Sequence, residues 1–281
     1  MSSPPQIPER SSSLHPRLTG ILPESITLTP SSLSIQSERE IENLYNIADN
    51  RWHWKSASHR EKVLTSNKII HNAEAITRLM ITSSLVIRDP SSARIKRFVE
   101  RYRQHEALDI RNISHDDLES LIHEYFLRFD ELFFFGLMNR EIDGEQGRRK
   151  LVIMKAYNFP NPKDDGNFNP NEDTLEIWMR CNETCTAPSV TYLVCVLLHE
   201  MVHAFLDIFA DEEDNKYHEQ VSDHGGHGVL FWVMLKFVLG RIFEFTGSEY
   251  IWNEMLNEEN HRVECARKPR YKLFFERIFN R

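Results

Sequence analysis

Two kinds of hydrophobic spacing, segregated along 281 residues, predict an α+β fold. Apolar residues recur at helical intervals over most of the chain, and two short β-rich runs, Leu151 to Tyr157 and Thr174 to Met179, interrupt them. Composition supplies the third observation. Ten glycines raise the hydrophobic share of 41% to about 45%, the lower edge of the usual globular range of roughly 45–50%. A full core is therefore expected, diluted by polar sequence, in one or two domains with tails.

Each element follows in order. Six of the twelve prolines fall in the first 30 residues among serines, too few apolar groups to offset ordering entropy, so 1–37 reads as a disordered tail. The start MSSPPQIPER lacks the apolar stretch of a secretory signal, which points to an intracellular protein. From 38 to 113 the spacing is helical, broken at Asp89-Pro90, where proline removes a backbone donor. Within it Ile95, Phe98, Val99 and Tyr102 form one face, and Arg94, Lys96, Arg97, Arg101 and Arg103 cover the rest. This is an amphipathic basic helix, either a solvated face or a surface for phosphates.

Ser114 followed by Asp117 resembles a helix cap, and Leu118, Leu121, Ile122, Tyr125, Phe126, Phe129, Leu132 and Phe133 trace a long core helix toward Gly136. The two β-rich runs come next, separated by a Pro/Asn/Asp/Gly-rich stretch, 159–172, that reads as one long turn joining two strands. Ser189 to Phe209 returns to helix, Asp211 to Asp214 opens a polar loop, and Val229 to Phe245 is a second apolar helix. The domain reading is a unit over 114–246 and a helical, basic tail over 247–281 containing Arg267, Lys268, Arg270 and Lys272.

Some classes are excluded at this stage. A net charge of −8 argues against a surface built throughout to coat nucleic acid. The apolar run from Thr191 to Leu198 ends at His199, short of the roughly 18–20 residues of a membrane span, so no membrane partner is expected. Four scattered cysteines, Cys181, Cys185, Cys195 and Cys265, do not make a disulfide framework and read as reduced thiols.

The chemistry lies at His199-Glu200-Met201-Val202-His203, an H-E-x-x-H pattern inside an apolar helix. Positions i and i+4 lie one turn apart on the same face, so both imidazoles can meet one ion at metal–nitrogen distances of roughly 2.0–2.1 Å. Glu200 projects beside that ion, where a carboxylate can take a proton from a metal-bound water and pass it to a leaving amine. The pattern alone arises by chance in roughly one such chain in twenty, so its surroundings must decide. Leu197, Leu198, Met201, Val202, Phe205 and Leu206 enclose it in hydrocarbon, where three ionisable groups without a shared partner would cost several kcal/mol. A metal resolves that cost.

A hydrolytic zinc wants a third protein ligand and an open position. Asp207 shares the histidine face but lies about 12 Å along the axis from His199, too far for the same ion. Ser222-Asp223-His224-Gly225-Gly226-His227-Gly228 offers His227, held between glycines, or His224, with His218 the outsider.

Leu198 to Ala204, then Gly226-His227-Gly228-Val229-Leu230-Phe231, resemble the helix and the G-H-G-x-x-F segment of SprT-like metalloproteases, the family of Spartan. Phe129 to Phe134 with Gly136-Leu137 is similar to that family's helix leading into its first strand. The resemblance covers about 114–246. It implies a zincin-like metalloprotease domain with a small β-sheet, Zn2+ on His199, His203 and His227, and Glu200 as catalytic acid/base. It implies further that Thr174 to Met179 borders the cleft and pairs with an extended protein substrate. Cleavage of DNA-associated or DNA-crosslinked proteins is the implied role, in the nucleus by resemblance, with the cytoplasm the alternative. The four-cysteine ribbon of many relatives has no counterpart beyond Cys265, and Asp211, Glu212, Glu213, Asp214, Glu219 and Asp223 give the loop before His227 a negative rim. The expectation for DNA is therefore a weak, non-specific contact. The alternative from another class is a binding or scaffold protein of the same fold with a purely structural zinc; a non-proteolytic metallohydrolase is a lesser rival.

Overall fold

The computed structural model describes residues 35–55, 72–106, 108–144, 147–159, 165–179, 189–254 and 257. Most of the expected tail, Cys181, Cys185, Cys265 and the basic run from Arg267 to Lys272 lie outside the described residues. The architecture is α+β, built on long helices with two small sheets.

Helix α1 (Ile35–Lys55) turns Leu44, Ile47 and Ala48 inward. Asn72 starts α2 (Ala73–Ser83) by accepting the Ala75 N–H on its side chain at 2.8 Å, satisfying one of the donors a helix start leaves free. The short α3 (Leu85–Arg88) stops before Pro90, and α4 (Ala93–Glu106) buries Ile95, Phe98, Tyr102 and His105. A 3-10 turn (Ile110–Asn112) leads to α5 (His115–Phe133), where the Ser114 hydroxyl accepts the Asp117 N–H at 3.1 Å. The turn that ends α5 closes on Asp130, whose buried carboxylate accepts the N–H groups of Met138 and Asn139 at 3.0 and 2.9 Å.

The β region departs from the expected pair of strands joined by one long turn. Strands β1 (Glu141–Gly144) and β2 (Gly147–Lys150) form an antiparallel hairpin. Strands β3 (Ile153–Tyr157), β4 (Gly166–Asn169) and β5 (Thr174–Trp178) form a second sheet in the order β3-β5-β4. The two β-rich runs are parallel neighbours, and the stretch read as a turn contains a strand of its own, antiparallel to β5 at the sheet edge. Gly166-Asn167-Phe168-Asn169 has the composition of a turn, because glycine and asparagine are poor strand formers. Pairing with β5 overrides that preference. Leu175 and Ile177 of β5 point into the core.

Ser189 caps α6 (Val190–Phe209) by accepting the Tyr192 N–H at 3.0 Å, and α8 (Val229–Thr246) packs against it. Between them run a π-helical turn (His218–Ser222) and the short α7 (Asp223–Gly226). Helix continues through the histidines, so the apolar stretch is longer than the run read to His199. By length and composition α6 would suffice for a membrane span, yet 72% of that stretch is buried inside the fold, the situation of a core helix.

Residues from α1, α2 and α4 join α5, α6 and α8 in one hydrophobic core. Phe98, Tyr102, Tyr125 and Phe129 interlock at centroid distances of 5.6–6.5 Å. The Tyr102 hydroxyl donates to Thr191 at 3.2 Å or to Ser248 at 3.0 Å, tying α4 to the start of α6. Arg140 clasps Asp49 of α1 through two nitrogens, at 2.6 and 2.9 Å, and lies over the Tyr45 ring. Arg51 on the same helix reaches both Asp173 and Asp207, so α1 is fixed to the sheet and to the far end of α6.

Candidate metal centre

Helical register brings the first two imidazoles together. His199 and His203 lie one turn apart on α6, with Nε2 atoms 3.2 Å from each other. The third comes from the far side of the loop. His227 Nε2 lies 2.9 Å from that of His199 and 3.3 Å from that of His203. Three nitrogens at 2.0–2.1 Å from one tetrahedral ion would stand roughly 3.3 Å apart, so the triangle has the size a metal requires. Among the described residues this is the one group of side chains placed to hold a metal ion. The three Nε2 atoms face one another, an arrangement that a single shared cation would satisfy.

Glycines explain how His227 arrives. The N–H of Gly228 donates to Val221 O at 2.9 Å, and a Cβ on Gly228 would stand 2.3 Å from Gln220 O, so backbone packs on backbone with no room for a methyl group. Gly226 takes φ +92°, and a Cβ there would come within 3.2 Å of the His203 ring. Aromatic rings then set the imidazole planes. His203 stacks on Phe231 at 4.2 Å and His227 on Trp232 at 5.4 Å, while Phe231 also touches the other two histidines.

Burial decides the protonation state. It pushes His199 down to about 3, assisted by His227, and pulls His203 well below its usual value, assisted by both other histidines. At neutral pH each therefore offers a lone pair. Glu200 is 7% exposed, and the edge strand lies against it at Gly166.

The centre opens into a cavity of about 400 Å³ walled by Gly166, Phe168, Glu200, Tyr217 and the histidines. Past Gly166 a second space of about 330 Å³ runs between Tyr192, Cys195, Leu235 and Glu254 and shares His199 and Glu200 with the first. At the other end, beyond Asp207 and Tyr217, a third of about 550 Å³ meets Arg51, Glu212 and Glu213. The first and third share Asp207 and Tyr217 in their walls, and Glu212 and Glu213 make the third acidic.

Several sequence expectations can now be placed. His199, Glu200, His203 and His227 all border the same cavity. The His218 ring instead lies 2.8 Å from the Ser222 hydroxyl, and the side chain of His224 lies outside the described residues. Asp207 braces α6 through Arg51 at 3.2 Å, and burial raises its carboxyl to about 6. Thr174 to Met179 does not offer the cleft a free edge, because β5 is paired on both sides; β4 is the strand that borders the cavity. Arg94, Lys96, Arg97, Arg101 and Arg103 do line the exposed side of α4, with Arg94 near Glu131 and Arg101 near Glu124.

Sequence reasoning gave no role to Gly166, Phe231, Trp232 or Arg51. For Phe231 a signal existed, since it closes the Gly226-His227-Gly228-Val229-Leu230-Phe231 segment that carries the third histidine. For Gly166 and Arg51, distant in sequence, there was none. Compared with known proteins, the chain matches no family model, no curated protein and no solved structure.

Proposed function

We propose that this chain is a zinc-dependent endopeptidase of SprT-like, zincin-like type. The observation that carries the reading is the triangle of three imidazole Nε2 atoms at 2.9–3.3 Å, with Glu200 lining the same cavity. His199, His203 and His227 would hold the ion. Three nitrogen ligands with a position left open is the donor set of catalytic zinc, whereas a structural site closes with four. The ion supplies Lewis-acid polarisation of a peptide carbonyl and acidifies a water.

The chain's own residues do the rest. Glu200 takes a proton from the attacking water and returns it to the departing amine, a role that suits a carboxylate beside the ligands and not among them. Phe231 and Trp232 stack on the His203 and His227 rings and restrict their rotation. Strand β4 offers the substrate its edge. Because the Trp178 N–H donates to Asp165 O, alternation aims the backbone groups of Gly166 and Phe168 away from β5, at the outer edge of a strand that lines the cavity. An extended protein substrate would pair there as an added strand, its scissile bond above the histidines.

The basic side of α4 supports a weak, non-specific and salt-sensitive DNA contact, in keeping with DNA-associated or DNA-crosslinked proteins as substrates inside the cell, in the nucleus or the cytoplasm. Purified full-length protein loaded with zinc should cleave denatured casein, lose that activity to a chelator and regain it with zinc. No cleavage by metal-replete protein, with or without DNA, would favour the scaffold alternative.

A further inference from the structure

We infer that Gly166 is a positioning residue for Glu200, its missing side chain being the seat into which the glutamate stem fits; the inference rests on the peptidase reading of this centre. A Cβ at position 166 would stand 2.7 Å from Glu200 Cγ, 2.7 Å from Val196 Cγ1 and 3.1 Å from Glu200 Oε1. Real Cβ atoms essentially never approach so closely, so a side chain there must lift β4 or turn the glutamate away.

Backbone conformation does not require the glycine, since Gly166 is not among the residues with positive φ. Space does. Gly166 pairs with Ile177 and shares the sheet face of Phe168, Leu175 and Ile177, the face that α6 covers. On that face the volume of a side chain is taken by the Glu200 methylenes and a Val196 methyl group, one from each adjacent turn of α6. The strand backbone thus forms a roof over Glu200 and restricts the rotamers open to it. The same residue turns its N–H and C=O away from β5 at the edge that lines the cavity, so one position would set both where a substrate strand lies and where the carboxylate stands beneath it. Register between base and scissile bond is built into a contact without a side chain. A displacement of about 1 Å in such a group can cost on the order of a hundredfold in rate.

The test compares wild type, Gly166→Ala and Gly166→Ala/Val196→Ala, each loaded with zinc, on denatured casein. Gly166→Ala should keep its zinc and change KM by less than about threefold, while kcat falls by at least about tenfold. Adding Val196→Ala relieves one of the two contacts and should restore kcat at least about threefold. Thermal unfolding of the metal-free proteins gives a readout independent of catalysis. Gly166→Ala should lower Tm at least about twice as much in the wild-type background as in Glu200→Ala, where the stem is gone. Equal losses in the two backgrounds, or unchanged kcat in Gly166→Ala, would overturn the inference. If wild type cleaves nothing, the peptidase reading fails; coupled Tm losses then still support the seating of Glu200 on Gly166, and uncoupled ones overturn it.

Discussion

His199 and His203 reach the metal centre from one continuous helix, whereas His227 reaches it from a loop that crosses 18 residues after α6 ends at Phe209. On the helix, register does the positioning. Leu197, Leu198, Met201 and Val202 anchor α6 in the core, and one turn of rise places both rings. In the loop, close backbone contact does it, through the Gly228 N–H to Val221 O and the absence of a methyl group at 226 and 228. A ligand on a helix is secured by hydrocarbon volume, and a ligand on a loop by the lack of it.

The largest expected effect equates the two halves. His203→Ala and His227→Ala should each weaken zinc binding by more than about a hundredfold in competition with a chelator, while His224→Ala stays within about threefold of wild type. A severe loss in His224→Ala with a mild one in His227→Ala would break the comparison, transferring the third ligand to another part of the loop.

The next prediction separates the halves. Met201→Ala removes a fully buried side chain from α6 and should cost about 2–5 kcal/mol of stability. Gly228→Ala adds only one methyl group, yet its Cβ would stand 2.3 Å from Gln220 O, so it should cost about 1–3 kcal/mol and weaken zinc binding as well. Chemical denaturation with metal titration checks both, and a neutral Gly228→Ala would show that the loop is not held by backbone packing.

That contrast explains how much was legible in the sequence. Helical spacing places α5, α6 and α8 to within a few residues, because a face buried along several turns leaves a repeated signal. His199, Glu200 and His203 are legible for the same reason, since their geometry is local to one turn. Gly226 and Gly228 are visible as letters, but their contacts with His203 and Gln220 depend on the folded loop. Strand β4 stayed hidden because its partner, β5, supplies the order that Gly166 and the asparagines do not. Arg51 was beyond reach because its partners, Asp173 and Asp207, lie 122 and 156 residues away.

The smallest expected effect concerns the outer brace of the helix half. Burial raises Asp207 to about 6 in the folded chain, against about 3.9 for an unperturbed aspartate. The folded state therefore binds the proton more tightly. The stability this group contributes is complete below about pH 4 and is lost as pH rises toward 6. Metal-free Asp207→Asn should lack that decline, shifting the difference from wild type by about 1–2 kcal/mol between pH 4 and 6. An unchanged pH dependence would mean that Arg51 compensates the carboxylate fully.

The central claim is that Glu200 acts on the reaction and not on the ion. Zinc content and casein cleavage measured on the same samples of wild type and Glu200→Gln test it most directly. Retention of about one zinc per chain, with cleavage reduced by at least about a hundredfold, is the expected result. Proteolysis at the wild-type rate by metal-replete Glu200→Gln would contradict it.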